Sequence, residues 1–192
     1  MELRPWLTVS KRTLLDRSPY LVVESHRVQL PDGQVIDDWS RVILPDSAVV
    51  IAETADLHYL CFRQTKYAIE GSSLAPIGGV LEVGERPIEG AKRELLEETG
   101  YVAEHWESLG SYVLDGSRGV RTANLFLARA ARKVAEPAID DLEDQELLLL
   151  TRTELASSLD RGEFKVMSWA GIVALVLRRI SATGHASSRS AG

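Results

Sequence analysis

In the stretch GVLEVGERPIEGAKRELLEETGY, residues 79–101, a glycine at 79 is followed by Glu82, Glu85, Glu94, Glu97 and Glu98. Such a set of carboxylates beside a glycine-rich turn offers only oxygen donors. Hard divalent cations such as Mg²⁺ prefer that donor type and share their shell with water and substrate phosphates. A cation held there would screen a pyrophosphate from the charge that repels a nucleophile and lower the pKa of an attacking water. Spacing sharpens the reading. Pro87 suits the first turn of a helix and Gly100 the position just past its end, which predicts a helix over 87–99. Residues three and four apart share a helix face, so Glu94, Glu97 and Glu98 converge, while Ile88, Ala91 and Leu95 form an apolar stripe that docks the helix on a core. A solvated acidic face paired with Arg86, Lys92 and Arg93 is the alternative for such a charge run. The glycine loop, the proline start and the glycine stop together favour the metal reading.

With those residues in view, the segment resembles the signature of the Nudix hydrolases, G-x5-E-x7-R-E-U-x-E-E-x-G-U, where U is aliphatic. The matches are Gly79, Glu85, Arg93, Glu94, Leu95, Glu97, Glu98 and Gly100; the last aliphatic position is Tyr101, followed by Val102. So many fixed positions in one short segment make the match specific. The resemblance implies an α/β fold, a Nudix-type α/β/α sandwich with a mixed sheet. It also implies Mg²⁺- or Mn²⁺-dependent cleavage of a nucleoside diphosphate linked to another group. Glu94, Glu97 and Glu98 are then expected metal ligands, with the Gly79 carbonyl and Glu82 completing one or two sites. Glu85 and Arg93 are expected to brace the motif by pairing with each other or the loop backbone; a phosphate contact is the other role open to Arg93. The general base is expected among the box carboxylates, Glu97 and Glu98, or at Glu143 in the later acidic run Asp140–Glu146, whose alternative is a solvated loop.

Beyond the box, about residues 5 to 180 resemble the ADP-ribose and nucleotide-sugar pyrophosphatase branch. Leu30-Pro31-Asp32-Gly33 with Trp39, the run Arg63-Gln64-Thr65-Lys66-Tyr67, and Pro76-Ile77-Gly78-Gly79 leading into Glu82 carry that likeness. The chain departs from the branch at Leu74, where a glutamate is common, and in the proline-free loop Leu114–Gly119. The likeness implies hydrolysis of ADP-ribose or a related nucleotide sugar to a nucleoside monophosphate and a sugar phosphate. GDP-mannose, NADH and dinucleoside polyphosphates remain alternatives, as does a nucleotide-sensing module without turnover. It also implies a homodimer in which an N-terminal β appendage helps form the pocket. Arg63, Lys66, Arg118 and Arg121 are candidate phosphate or ribose contacts, because guanidinium forks suit phosphate; each is otherwise ordinary surface. Trp39 could stack a nucleobase or serve packing. His26, His58, His105 and His185 show no metal spacing and read as incidental.

The formal net charge of −6 argues against bulk nucleic-acid binding, which needs a basic surface, and requires cations local to any site for anionic substrates. With 45% hydrophobic residues the chain can bury a real core. No run approaches the roughly 20 apolar residues of a membrane span, and the N-terminus lacks the apolar core of a signal peptide, so a cytoplasmic protein is expected. Cys61 reads as a buried structural thiol. The expected organisation is a β appendage over 1–45, the hydrolase domain over 46–180 and a disordered tail over 181–192. Strands are expected at 20–24, 26–30, 35–39 and 41–44 (these last as one strand or two), 48–52, 57–63, 102–112, 124–128 and, as a short buried strand, 147–150. Thr151 is expected to cap a short helix, and an amphipathic helix is expected over 167–180.

Overall fold

The computed structural model describes residues 3–138 and 144–187. The elements run β1 (Leu7–Arg17), β2 (Leu21–Gln29), β3 (Val35–Ile43), β4 (Ser47–Thr54), β5 (Tyr59–Thr65), β6 (Ser72–Ala75) and β7 (Ile77–Val80). Then follow α1 (Pro87–Thr99), β8 (Tyr101–Val102), β9 (His105–Asp115), β10 (Gly119–Lys133), β11 (Gln145–Leu150), α2 (Arg152–Asp160) and α3 (Met167–Ser187). The chain divides into two compact units, Met1–Asp46 with Tyr112–Thr122, and Ser47–Ser111 with Ala123–Gly192.

The first unit is an antiparallel meander of β1, β2 and β3, in register from Leu7↔Gln29 to Arg17↔Leu21 and from Val22↔Ile43 to Gln29↔Val35. The predicted turn at Pro31-Asp32-Gly33 closes β2 onto β3: Asp32 accepts from the Gln34 N–H at 3.0 Å, and Leu30 N–H donates to the Gln34 carbonyl at 2.8 Å. The two strands expected at 20–24 and 26–30 are one, β2, because the ladder to β3 continues across Ser25↔Ser40. Residues 35–39 and 41–44, expected as one strand or two, form one, β3. β1 was not foreseen; every residue of it is exposed, so no buried face imposes alternation. Asp115 closes the turn after β9 by accepting from the Ser117 and Arg118 N–H groups at 2.8 and 2.7 Å. Gly119 and Val120 then run parallel to Val42 and Ile43.

In the second unit β4 is the central strand. It lies parallel to β10 from Ala123↔Ser47 to Ala131↔Thr54. It is antiparallel to β5 over Ala52↔Leu60 and Glu53↔Tyr59, and to β7 from Ser47↔Val80 to Val50↔Ile77. β5 continues onto β6 and β11. Successive strand residues point to opposite faces, and here both faces are buried. Val49 and Ile51, Tyr59 and Cys61, and Leu125 and Leu127 pack with Leu155 of α2 and Ile172, Val173 and Val176 of α3. Ala48 and Val50, Leu60 and Phe62, and Phe126 and Ala128 pack with Ala91 and Leu95 of α1. This is a mixed sheet between helices, the α/β sandwich expected. β11 is only half-buried, with Leu149 50% exposed, because it is the last strand after β5 and presents one side of its leucines to solvent.

Helix ends follow the sequence signals. α1 starts at Pro87 and ends where Gly100, at φ 73°, returns its N–H to the Leu96 carbonyl at 2.8 Å. Thr151 and Glu154 form a reciprocal capping box at the start of α2. α3 continues to Ser187, where the sequence reading ended it at Ile180 and began a tail. No proline or glycine follows Ile180 at once, and the Ser181 hydroxyl bonds back to the Leu177 carbonyl at 2.9 Å. Residues 188–192 lie outside the described residues. No described helix is long and apolar enough to cross a membrane.

Cys61 is fully buried, and burial pushes its thiol up to about 12. The thiolate is the reactive form, so a thiol reagent at neutral pH should leave the native protein unmodified and label one cysteine only after denaturation.

Candidate active site

The box folds around one guanidinium. Arg93 donates through Nε to Glu85 Oε1 at 2.9 Å, through Nη1 to Glu94 Oε1 at 2.8 Å and Glu97 Oε2 at 3.0 Å, and through Nη2 to Glu85 Oε2 at 3.0 Å and the Val80 carbonyl at 3.2 Å. A guanidinium has five N–H donors, and all are used. Arg93 therefore ties α1 to the loop after β7 and has no N–H left for a phosphate in this arrangement. Glu85 completes the brace: Oε2 also accepts from the Glu82 N–H at 2.9 Å. Hydrogen bonds from Arg93, then from the loop backbone, hold the Glu85 carboxyl below the usual range.

Glu94 lies on the inner side of α1 against Gly79. A Cβ at Gly79 would sit 2.5 Å from Glu94 Oε1, so any side chain there would push the carboxylate off the β7 backbone. Burial pushes the Glu94 carboxyl up, and Arg93 opposes the shift. One turn on, Glu98 Oε2 accepts from the Gly78 N–H at 3.0 Å, which docks the helix on the end of β7. Glu97 is exposed apart from its bond to Arg93, and the Glu82 side chain is exposed. The structure thus brings Glu94, Glu98, Gly78 and Gly79 together and links Glu97 through Arg93. Among the described residues no three acidic, histidine or cysteine side chains converge tightly enough to form a ready-made ion cage. The donors are nonetheless all oxygens, and the half-buried Glu94 carboxylate against bare backbone suits a hard divalent ion that keeps water in its shell.

Arg63 is exposed on β5, opposite Leu74 on β6 and Glu146 on β11. Leu74 is 3% exposed and joins the core, which is where the chain departs from the branch's glutamate. Lys66 follows β5 and is half-buried. Glu143 lies outside the described residues. Trp39, Arg118 and Arg121 belong to the first unit. There Arg118 is exposed, with Nη1 3.9 Å from Asp115, and Arg121 is half-buried. Trp39 donates Nε1–H to the Ser117 carbonyl at 2.9 Å and meets Trp6 edge-to-face, with ring centroids 5.0 Å apart.

Sequence reasoning missed what surrounds Trp39. A cavity of about 710 Å³ within the first unit is lined by Trp6, Thr8, His26, Val28, Trp39 and Arg41, with Gly116 and Ser117. The signal was present as strand alternation: Glu24-x-His26 on β2 lies opposite Arg41 and Trp39 on β3. His26, read as incidental, is a wall of this cavity.

Replacing Glu85 by Gln should destabilise the fold by about 2 kcal/mol, since hydrogen bonds to charged groups contribute roughly that much and both partners are largely buried, at 13% and 25% exposure. Because the folded Glu85 carboxyl lies below its unfolded value, its contribution is complete above the ordinary value of 4.5 and is lost as pH falls through the lower folded value. Urea unfolding should therefore show a wild-type advantage at neutral pH that closes on acidification below 4.5.

Comparison with known proteins agrees with this geometry. Residues 44–170 match the family model of the NUDIX domain. The chain is 34% identical over 130 residues to the methanol dehydrogenase activator of Bacillus methanolicus, covering 66% of this chain and 69% of that protein. It is 27% identical over 134 residues to the ADP-ribose pyrophosphatase of Bacillus subtilis (strain 168), covering 69% and 70%. A crystal structure of an ADP compounds hydrolase superposes with a TM-score of 0.79 at 21% identity, over 96% of this chain and 98% of that one, so the two share a fold. A glutamate-bearing helix braced on a glycine loop, in a chain two-thirds of which matches the domain model, makes this protein a member of the NUDIX hydrolase family.

Proposed function

We propose that this Nudix hydrolase cleaves the pyrophosphate of a nucleoside diphosphate linked to a sugar, ADP-ribose first among them, releasing AMP and ribose 5-phosphate. The observation that carries this reading is the carboxylate set on α1: Glu94 lies against Gly79, Glu98 accepts from the Gly78 N–H, and Glu94 and Glu97 are tied to a fully committed Arg93. The likeness to an ADP-ribose pyrophosphatase supports the substrate.

Glu94, Glu97 and Glu98, with Glu82 and the Gly79 carbonyl, would hold Mg²⁺ or Mn²⁺. When bound, the ion neutralises charge on the pyrophosphate and acidifies a water. The chain's own work is to fix the carboxylates and take up the water's proton. Glu97 or Glu98 on α1, or Glu143, serves as the base, since a carboxylate near the nucleophile does this in the transition state. Arg63, Lys66, Arg118 and Arg121 are proposed contacts for phosphate or ribose, and Trp39, with Trp6, for the base. Glu85, Arg93 and Gly100 are structural parts of the motif.

The relative named as a methanol dehydrogenase activator favours a second reading, a Nudix protein that acts on another enzyme. Turnover separates the two. We also propose a cytoplasmic homodimer formed through the first unit. The exposed β1, with Leu7 58%, Val9 52% and Leu14 54% exposed, supports this, because large exposed apolar patches mark interaction surfaces; sedimentation of a monomer at micromolar concentration would exclude it.

Incubation with Mg²⁺ and ADP-ribose, GDP-mannose, UDP-glucose, NADH or diadenosine polyphosphates should give AMP and ribose 5-phosphate preferentially from ADP-ribose. Chelation should abolish this, and Mg²⁺ or Mn²⁺ should restore it. No turnover of any of these would end the hydrolase assignment in favour of the second reading. Glu98→Gln keeps an acceptor for the Gly78 N–H, so the fold should persist while kcat falls by about two orders of magnitude or more, the range of acid–base effects. Glu143→Gln with unchanged kcat would place the base on α1.

A further inference from the structure

α3 covers the face of the sheet opposite to α1. Between α3 and β9, within the second unit, lies a cavity of about 350 Å³ lined by Leu109, Leu175, Arg178 and Arg179. The proposed reaction uses none of these residues. Residues three and four apart share a helix face, so Leu175 presents Arg178 and Arg179 on its own side, one turn on. Leu109 follows Glu107 by two and shares its face of β9. Both leucines also pack against the core, which gives the cavity an apolar floor.

The two arginines differ in how their charge is met. Arg179 Nε lies 2.8 Å from Glu107 Oε1. Glu107 Oε2 is 3.7 Å from Arg129 Nη2, and Arg129 Nε is 3.7 Å from the largely buried Glu53 Oε2. Arg179 thus ends a chain of alternating charges that fixes and balances it. Among the described residues Arg178 has no hydrogen bond or ion pair, although the chain as a whole carries an excess of acid. The wall of the cavity therefore holds one uncompensated positive charge above an apolar floor.

We propose that this cavity binds a small monoanion with an apolar tail, of the class of a medium-chain carboxylate, its head on Arg178 and its tail on Leu109 and Leu175. A planar guanidinium matches a carboxylate with two parallel N–H donors. A phosphate dianion fits less well, because Arg178 supplies one free charge for two and Glu107, behind Arg179, repels the second. The volume lies at the small end of ligand cavities, which holds the tail to a medium chain.

The test is isothermal titration of the full chain with octanoate, with octanol as the tail without charge and acetate as the charge without tail. The wild type should bind octanoate at one saturable site, at least about tenfold more tightly than acetate, the effect of burying two methylenes. It should prefer octanoate to octanol about fivefold, the upper end for a solvent-accessible ion pair. Arg178→Gln should weaken octanoate about fivefold and leave octanol unchanged. Arg178→Glu should reject octanoate and admit octylammonium in its place, a reversal that loss of structure cannot produce. Arg178 is exposed, so both variants should fold, and Arg178→Gln decides alone if the charge reversal does not. No saturable octanoate binding, equal affinities for octanoate and octanol, or unchanged octanoate affinity in Arg178→Gln would each overturn the proposal. Tighter binding of octyl phosphate than of octanoate would overturn the monoanion assignment. None of these outcomes depends on ADP-ribose turnover, so the hydrolase assignment stands or falls separately on product analysis.

Discussion

Three carboxylates and a backbone carbonyl share the five N–H groups of Arg93, and the rest of the box is arranged around that constraint. Without the guanidinium, Glu85, Glu94 and Glu97 would repel one another across a loop and a helix that must lie close. With it, Glu85 becomes a strut that also takes the Glu82 N–H, and Glu94 can be drawn against bare backbone at Gly79 despite the burial that raises its pKa. The cost of ordering a long arginine side chain is offset because its planar fork matches carboxylate geometry in two directions at once.

A committed Arg93 also decides where positive charge for the substrate has to come from. The chain is acidic overall, at −6, and Arg93, which holds Glu94 and Glu97, spends its whole donor capacity inside the motif. A pyrophosphate brought to Glu94, Glu97 and Glu98 would meet net negative charge. Either a divalent ion or side chains from other elements must supply the balance, and of these only an ion can also lower the pKa of water. The carboxylate-rich helix and the absence of a spare donor on Arg93 are thus two sides of one design: the protein builds a rigid anionic seat rather than a cationic one.

How much of this was legible depended on whether burial wrote a period into the residues. α1 could be bounded to the residue because Pro87 and Gly100 are themselves backbone instructions, and Ala91 and Leu95 recur at helical spacing. The capping box at Thr151 and Glu154 was readable for the same reason. β4, β5 and β10 were recognisable as strands from their apolar runs, yet their assignment to two faces was not, since Ala48, Val49, Val50, Ile51 and Ala52 are all buried and a strand covered on both sides loses its alternation. β1 was invisible for the opposite reason: LTVSKRTLLDR has no buried side at all. The extension of α3 past Ile180 depended on what did not stop it, which a tail of small residues conceals.

The sites differ in the same way. The box is contiguous in sequence, so its spacing placed Glu94, Glu97 and Glu98 on one face, while the brace of Glu85 on Arg93 was an expectation from the resemblance that the structure bears out. The cavity in the first unit is assembled across three strands, and its residues have no shared spacing: Trp6 precedes β1 and Thr8 lies on it, His26 and Val28 sit on β2, and Trp39 and Arg41 on β3. What unites them is cross-strand register, known only once the turn at Pro31-Asp32-Gly33 has fixed the pairing of β2 with β3. A two-residue alternation such as Glu24-x-His26 gains meaning only when the opposite strand offers Arg41-x-Trp39 to the same face.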